Sequence, residues 1–444
     1  MLPIASAGLR GRPEWLLRGI ASAGISTSLF AIANRFGVDA FAIFGLHSNY
    51  SAGRMQIAST LGNPNFVASF LASTTAATLF LSLQKSSRAW IWRVGLALSV
   101  VALWLTQSRV GIVALFLALV LPLLFQRTTT ARSLAAAFIL LFAVTGYFVN
   151  RDNPRTFRTA STGRSVIWQV AVQDGIRPLG DGPGTFAYLY PARLGRWFAA
   201  HPDPALLRFT DNQTHAHNDF LEFFTETGSL GGAAFLATIA LGIFGIATRL
   251  RSSTFAPFAV AGISALLTTA LFDFPLHRAE AWALLWLWMS FPFLESPAAS
   301  AGPATNSFRF AALLAIPVAA ISVFPAIASY HVHQGLAFEA QSSDPAAARE
   351  YQKAIALDAT NPDAQFYLAR AMANAGDSNR AYLQTQIAEH WVDEPDLYVL
   401  RARILVQMSK RNLALAILQQ AHKRFPHSEE LAKTEVELQA MTEK

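Results

Sequence analysis

Long apolar segments separated by short polar gaps fill most of the chain before residue 330, and they restrict its fold more than any other feature. A helix that crosses the hydrocarbon core of a bilayer needs roughly 20 mainly apolar residues. About nine segments approach this criterion, although eight or ten spans fit the same pattern. The predicted spans are Gly19–Ala33, Phe66–Leu83, Ile91–Leu105, Val110–Phe125, Leu134–Val149, Leu230–Ala247, Phe255–Leu271, Ala281–Leu294 and Phe310–Ser329. The expected fold class is therefore all-α, with a polytopic α-helical membrane domain over residues 1–330.

Composition agrees with a membrane domain and excludes several kinds of chemistry. Only 14% of the residues are charged, whereas soluble domains contain about 25%. The chain has no cysteine, which excludes disulfides, thiolate metal sites and a cysteine nucleophile. The net charge is +7, but most basic residues lie in short gaps between apolar segments. A nucleic-acid-binding protein instead concentrates Lys and Arg on one solvated face, so we expect no nucleic-acid partner.

Basic residues occupy alternate gaps between the apolar segments, and they predict the orientation of the chain. They are Arg10, Arg12 and Arg18, then Lys85 and Arg88, then Arg127 and Arg132, then Arg249 and Arg251, then Arg309. Cytoplasmic loops carry such an excess of Lys and Arg, which places the N-terminus in the cytoplasm. The long segment 150–229, which we expect to be ordered on the membrane surface, and the chain after about residue 330 then lie outside.

The chain after Tyr330 consists of Ala-rich amphipathic segments. Turns at Asn361-Pro362-Asp363, Glu394-Pro395-Asp396 and Phe425-Pro426 recur at about 33 residues, close to the 34-residue period of tetratricopeptide repeats. Each such unit is a helical hairpin that buries its apolar face against the next hairpin. Residues 331–444 are therefore predicted to form a TPR-like α-solenoid, with an ordinary helical bundle as the alternative.

The densest polar cluster lies where the segment 150–229 meets the sixth span. It contains Thr214, His215, His217, Asn218, Asp219, Glu222 and Glu226. Residues 215, 219, 222 and 226 recur at helical spacing, so we expect one helical face to carry them. Ionisable residues at a membrane boundary indicate function, whereas the alternative is a solvated helix start capped by Asp211 or Thr214.

Two kinds of chemistry fit this cluster. In the first, one histidine is a general base that takes a proton from an acceptor hydroxyl. In the second, His215-x-His217-x-Asp219 is the start of a zinc site, because imidazole and carboxylate groups are zinc ligands. Phe220 stands where such a zinc motif continues with histidine, and the other available histidines have unrelated sequence contexts, which favours the metal-free interpretation. These other histidines are His47, His201 and His277.

Three arginines are predicted on the same outer side, namely Arg109, Arg164 and Arg278. A guanidinium group presents a rigid fork of donors that matches phosphate oxygens, so the set suits a lipid-linked diphosphate. The alternative for each arginine is an ordinary lipid headgroup contact. Two further segments have turn chemistry: residues 61–65, which include Asn63 and Asn65, and the glycine-rich residues 178–184, which we interpret as structural.

Together these motifs resemble those of the O-antigen ligase/polymerase family of bacterial envelope enzymes, over roughly residues 20–295. The matching motifs are Gly62-Asn63-Pro64-Asn65, Ser108-Arg109, Gly163-Arg164 with Trp168, Pro178-Leu179-Gly180-x-Gly182, His215-x-His217-Asn218 followed by Glu226-x-Gly228-x-x-Gly231, and Asp273-Phe274-Pro275-Leu276. Some members of this family carry C-terminal tetratricopeptide repeats.

The resemblance implies a membrane glycosyltransferase of the glycosyltransferase C type. Such an enzyme works at the periplasmic face of the bacterial inner membrane, without a metal, cofactor or nucleotide sugar. It transfers a glycan from undecaprenyl diphosphate to lipid A core, a growing polysaccharide or a protein hydroxyl. His217 corresponds to the family's essential histidine, with His215 as the neighbouring candidate, and Arg109 and Arg164 correspond to its essential arginines. The supporting residues are Asn218, Asp219, Glu222, Asn63 and Asn65, and Arg278 is a third diphosphate-binding candidate.

One departure and two alternatives accompany this assignment. Family members usually have several more spans before Gly62 than this chain offers, so we expect a truncated or short member. A transporter or flippase would also be polytopic and basic, but it would more often show internal repeats and interrupted helices. A non-catalytic scaffold would use the repeat domain to recruit a periplasmic protein, and it would tolerate substitution of His217.

Overall fold

The computed structural model describes the helical regions of the chain with several gaps. The described residues are 13–38, 54–126, 128–152, 154–201, 213–294, 327–359, 361–392, 394–425 and 428–442. Within these ranges every regular element is a helix, which confirms the all-α class. The chain divides into two compact units, one from residues 1–164, 178–180 and 216–312 and the other from residues 165–177, 181–215 and 313–444.

The helices of the first 294 residues follow the apolar pattern of the sequence. They are α1 Pro13–Arg35, α2 Pro64–Ser82, α3 Ala89–Leu105, α4 Arg109–Phe125, α5 Thr129–Asp152, α6 Pro154–Val172, α7 Phe186–Ala200, α8 Asp219–Ala247, α9 Ala256–Ala270, α10 Ala279–Met289 and α11 Phe291–Leu294, with short 3₁₀ helices at Arg54–Gln56 and Pro275–His277. Each of the first eight predicted spans overlaps one of these helices. The ninth, Phe310–Ser329, lies largely outside the described residues.

Among the described residues, three helices are long and apolar enough to cross a bilayer, namely α1, α2 and α8. Four shorter apolar helical segments accompany them: α3, α4, α9 and residues 129–140 of α5. These helices support an integral membrane protein, whereas the number of nine spans stays a prediction.

Small and hydroxylated residues let the helices of the first unit pack closely. Ser73 of α2 donates a hydrogen bond to the carbonyl of Gly262 in α9 at 2.9 Å and accepts one from the indole of Trp288 at 2.9 Å. A Cβ atom at Gly262 would lie 2.3 Å from the Trp288 ring, so only glycine fits there. Ser69 and Thr269 form a second bond between α2 and α9, at 2.7 Å. Such contacts are typical of helix packing in membranes, where apolar burial alone does not join helices.

The glycine-rich segment packs backbone to backbone against a kink in α8. Gly228 has φ 76° and ψ −179°, which interrupts the helix. The amide of Leu230 donates a hydrogen bond to the carbonyl of Pro178 at 3.2 Å. A Cβ atom at Gly228 would lie 2.2 Å from that carbonyl oxygen, and one at Gly180 would lie 2.2 Å from the carbonyl of Glu226. The structural interpretation of the glycine run is therefore confirmed.

In the second unit, the end of α6 and the helix α7 are joined by an ion-pair network. The buried guanidinium of Arg193 binds the carboxylates of Asp174 and Asp181. Arg196 also binds Asp174, at 2.7 Å. The long segment thus contains ordered helices, as the sequence predicts for it.

The remaining helices form the repeat region of the second unit. They are α12 residues 327–340, α13 Asp344–Leu357, α14 Pro362–Asn374, α15 Ser378–Ala388, α16 Pro395–Gln407, α17 Arg411–Arg424 and α18 Glu429–Thr442. Pro362 and Pro395 occupy the first turns of α14 and α16. Backbone amides there have no acceptor within the helix, so proline costs no intrahelical hydrogen bond. Tyr351, Ala354 and Ala381 are fully buried between the helices. The predicted turns at Asn361-Pro362 and Glu394-Pro395 therefore open alternate helices of stacked hairpins, whereas Pro426 lies outside the described residues.

Candidate functional site

His217 lies in the non-helical segment that precedes α8, and its backbone is strained. Its φ is 50°, in the left-handed region that a residue with a Cβ atom seldom adopts. Its Nδ1 lies 3.4 Å from Oδ1 of Asp273, and its side chain is 29% exposed. Nδ1 itself is buried and has no hydrogen-bond partner among the described residues. The ring also contacts the edge of Phe274, at 5.1 Å between centroids.

Hydrogen bonds on both sides of His217 hold this conformation. The amide of Ala216 donates to Oε2 of Glu222 at 2.7 Å. The side chain of Asn218 caps α8 by accepting from the amide of Leu221 at 3.0 Å. Such strain persists only where the surroundings over-determine it, and it is concentrated at functional sites. The cap is thus Asn218, not Asp211 or Thr214 as the alternative interpretation supposed.

The helix begins at Asp219, which corrects one expectation about the polar cluster. His215 precedes α8 and belongs to the chain segment of the second unit, so it does not share a helical face with Asp219, Glu222 and Glu226. Asp219 and Glu222 are buried in the first turn of α8. The buried carboxylates need partners, because an isolated charge is costly away from water.

The partner of both carboxylates is His277. Its Nδ1–H donates to Oδ1 of Asp219 at 2.7 Å, and its Nε2 lies 3.0 Å from Oε1 of Glu222. Burial lowers the pKa of His277, but the hydrogen bonds and charges of the two carboxylates outweigh burial and raise the pKa to about 10. His277 is therefore an imidazolium at neutral pH. The sequence context of His277 did not predict this contact, because Asp219 lies 58 positions away in the chain.

The turn between α9 and α10 carries Asp273, His277 and Arg278 together. The amide of Leu276 donates to Oδ2 of Asp219 at 2.8 Å, which ties this turn to the start of α8. Arg278 pairs with Glu280 at 3.2 Å and stacks on a neighbouring ring, so part of its guanidinium is already engaged. Its side chain is still 43% exposed.

The loop at residues 61–66 borders the same turn. Asn63 caps α2 by accepting from the amide of Asn65 at 2.8 Å. Phe66 lies under the Arg278 guanidinium at 5.2 Å and meets Phe274 edge to face at 5.2 Å. Asn63 therefore fixes the start of a helix whose first turn supports Arg278, which is a positioning role.

The other predicted arginines occupy different helices. Arg109 is the first residue of α4, directly after the capping residue Ser108, and it is exposed. Arg164 lies within α6 and is half-buried. Asp273 and His277 are the residues that sequence reasoning did not assign to the site. Their signal was the motif at residues 273–276, which lies directly before His277.

Two comparisons with protein families cover separate parts of the chain. Residues 94–236 match the family model described as O-antigen ligase. Residues 350–382 match a tetratricopeptide repeat model. No individually curated protein matches the chain. The first match includes Arg109, Arg164 and His217, and the two matches together confirm the resemblance that the motifs indicated.

Proposed function

We propose that the protein is a membrane glycosyltransferase, because residues 94–236 match the O-antigen ligase family model. The donor is a glycan on undecaprenyl diphosphate, and the acceptor is a hydroxyl of lipid A core, a growing polysaccharide or a protein. The observation that carries this proposal is the strained, half-buried His217 facing Asp273 inside a matched O-antigen ligase segment. A non-catalytic scaffold needs its membrane domain only as an anchor, and an anchor does not require such a cluster of ionisable residues.

His217 is the general base of the proposed reaction. With a proton on Nδ1 facing the Asp273 carboxylate, Nε2 is the nitrogen that accepts a proton from the acceptor hydroxyl; this tautomer is inferred from the 3.4 Å approach. Asp273 orients the ring and stabilises the imidazolium that forms. The 29% exposure of His217 leaves the ring accessible to an acceptor.

The proposed reaction balances without a cofactor. The acceptor oxygen forms a bond to the anomeric carbon of the first sugar as His217 takes its proton. The bond from that carbon to the diphosphate oxygen breaks, and its electron pair remains on the leaving diphosphate. Arg109 and Arg164 are proposed to stabilise this developing charge, since the guanidinium fork matches phosphate oxygens. Arg278 offers the part of its guanidinium group that neither Glu280 nor the carbonyl of Leu61 binds.

Transfer in a purified system tests the proposal. The protein in detergent is incubated with an undecaprenyl-diphosphate-linked glycan, each of the three acceptor classes and EDTA. Wild type is compared with His217→Ala, Asp273→Asn and Arg164→Ala. His390→Ala is the matched control, because His390 is exposed in the repeat region and makes a local contact with the Gln386 carbonyl.

We expect transfer by wild type and by His390→Ala, and loss in His217→Ala and Arg164→Ala. Transfer that persists in His217→Ala contradicts the general-base assignment. Loss of wild-type transfer in EDTA indicates a metal-dependent reaction instead. The preferred acceptor class in this assay separates a ligase from a polymerase and from a protein glycosylase.

The repeat region supports a further part of the proposal. Tetratricopeptide hairpins bind proteins, so a periplasmic protein is proposed as the partner or acceptor of residues 331–444. The basic loops support an inner-membrane location with a cytoplasmic N-terminus and a periplasmic repeat domain. A protein acceptor that is glycosylated in the assay above would support this partner.

A further inference from the structure

The imidazolium of His277 sits at the centre of a four-bond arrangement that joins two separate chain segments. Both of its ring nitrogens face a carboxylate, at 2.7 Å from Asp219 and 3.0 Å from Glu222. An ionised carboxylate only accepts hydrogen bonds, so two such bonds require protons on both ring nitrogens. With both carboxylates ionised, this geometry requires the charged form of His277.

Each carboxylate uses its second oxygen to hold the main chain beside a residue of the proposed reaction. Glu222 accepts from the amide of Ala216, directly before His217. Asp219 accepts from the amide of Leu276, in the short turn that begins with Asp273. One cation thus links the segment that carries the proposed base to the segment that carries its orienting carboxylate.

Without a cation, the two carboxylates would face each other in a buried site. The Asp219 side chain is fully buried and that of Glu222 is 2% exposed. Burial and the neighbouring like charge both disfavour ionisation, so one group takes up a proton or turns away. Either response weakens its hydrogen bond to the amide of Ala216 or Leu276.

We propose that His277 is a positioning residue: by placing its positive charge between Asp219 and Glu222 it partly neutralises them, and it thereby sets the distance between His217 and Asp273. This inference rests on the proposed function of His217. It assigns no contact with substrate to His277. Its role is to hold the base and its orienting partner within the small tolerance that proton transfer allows.

Hydrogen exchange tests the inference without any transfer assay. In the full chain in detergent, His277→Gln is expected to raise the exchange rates of the Ala216 and Leu276 amides about 10-fold, because their acceptors are released. Peptides from residues 344–442 serve as the internal control and should exchange as in wild type. Unchanged exchange of both amides in His277→Gln overturns the inference.

Kinetics test whether the positioning matters for transfer. We expect His277→Gln to lower kcat about 10- to 100-fold, since a small misplacement of a base has effects of this size. KM should change less than about threefold, because His277 does not bind substrate. The double variant His277→Gln with Glu222→Gln removes one of the opposed charges and should recover about 10-fold of the loss in kcat. No recovery in the double variant overturns the neutralising role.

A matched control separates this effect from the general loss of an ion pair between histidine and a carboxylate. His331 in the repeat region binds Glu350 at 2.7 Å, the same distance as His277 to Asp219. His331→Gln should leave kcat within about twofold of wild type. A loss of kcat in His331→Gln as large as that in His277→Gln overturns the inference. Wild type that transfers no glycan refutes the proposed function, while the exchange experiment still decides the role of His277.

Discussion

His217 adopts a conformation that costs free energy and that a glycine would adopt freely. A non-glycine residue in the left-handed region costs of order 1–3 kcal/mol and needs support from its neighbours. That support comes from Glu222 through Ala216 and from the Asn218 cap. The strained backbone lowers local stability but fixes the direction of the His217 imidazole ring. This is consistent with a residue that takes part in the reaction.

Replacing His217 with glycine should separate these two effects. His217→Gly relieves the backbone strain, so the melting temperature in detergent should equal or exceed that of wild type. Transfer should fall about 100- to 10,000-fold, the usual contribution of a general base. Differential scanning fluorimetry and the transfer assay measure the two effects. A variant that loses both stability and transfer would indicate a structural histidine.

The charge of His277 predicts how stability depends on pH. Its pKa is raised to about 10 in the folded protein by Asp219 and Glu222, above its ordinary value of about 6.5. A raised pKa stabilises the fold fully below about pH 6.5, and this contribution disappears as the pH rises through about 10. The melting temperature of wild type should therefore exceed that of His277→Gln most below pH 6.5 and converge with it near pH 10. A constant difference over this range would contradict the assignment.

The sequence identifies part of the site but not its internal connections. His217, Asn218, Asp219 and Glu222 are adjacent in the chain, so their clustering is visible before folding. The pairing of Asp219 with His277 joins residues 58 positions apart. Periodicity and turn chemistry act over a few residues and contain no information on such a contact, which arises when α8 packs beside the turn after α9.

At the scale of helices, hydropathy locates the apolar part of a helix better than its ends. The sequence predicts that the sixth span starts at Leu230, whereas α8 starts at Asp219. The first turns of α8 are polar because they carry the candidate site, so they add nothing to an apolar count. The kink at Gly228 separates these polar turns from the apolar remainder of the helix.

Substitution of Gly228 should destabilise this junction. An alanine there would place its Cβ atom 2.2 Å from the Pro178 carbonyl oxygen and would retain an unfavourable positive φ. We expect Gly228→Ala to lower the free energy of unfolding by about 1–3 kcal/mol or more. The measurement is unfolding of the detergent-solubilised protein by denaturant.

Gly245 supplies the matched control within the same helix. A Cβ atom at Gly245 would meet no atom within 4 Å, so alanine fits without a clash. Gly245→Ala should be neutral or stabilising by up to about 1 kcal/mol, because alanine favours the helix. Equal destabilisation by the two substitutions would show that the contact with Pro178 contributes nothing.

At the scale of the whole chain, two units of different composition require different explanations. The first unit buries hydroxyl groups and glycines between apolar helices, as in Ser73 with Gly262. The second contains hairpins whose turns recur at about 33 residues in the sequence. The assignment of residues 165–177 and 181–215 to the second unit was not predicted, because no local pattern marks it.

The orientation of the chain can be tested with single cysteines, since the sequence contains none. Ser252 lies in the predicted cytoplasmic loop between α8 and α9, and Ala375 lies between α14 and α15; both residues are exposed. A membrane-impermeant maleimide applied to spheroplasts should label Ala375→Cys, while Ser252→Cys should be labelled only after lysis. We expect Ser252→Cys to be protected before lysis because the neighbouring Arg249 and Arg251 favour the cytoplasmic side.

The same pair of cysteines decides whether the chain crosses the bilayer an odd or an even number of times between residues 252 and 375. The predicted spans Phe255–Leu271, Ala281–Leu294 and Phe310–Ser329 make three crossings, and an odd number puts the two cysteines on opposite sides. If Phe310–Ser329 does not cross the bilayer, only two crossings remain and both cysteines face the same compartment. Labelling of both variants only after lysis would then refute the nine-span prediction and the periplasmic location of the repeat domain together. Opposite labelling would place the repeats on the side where the acceptor is proposed to bind.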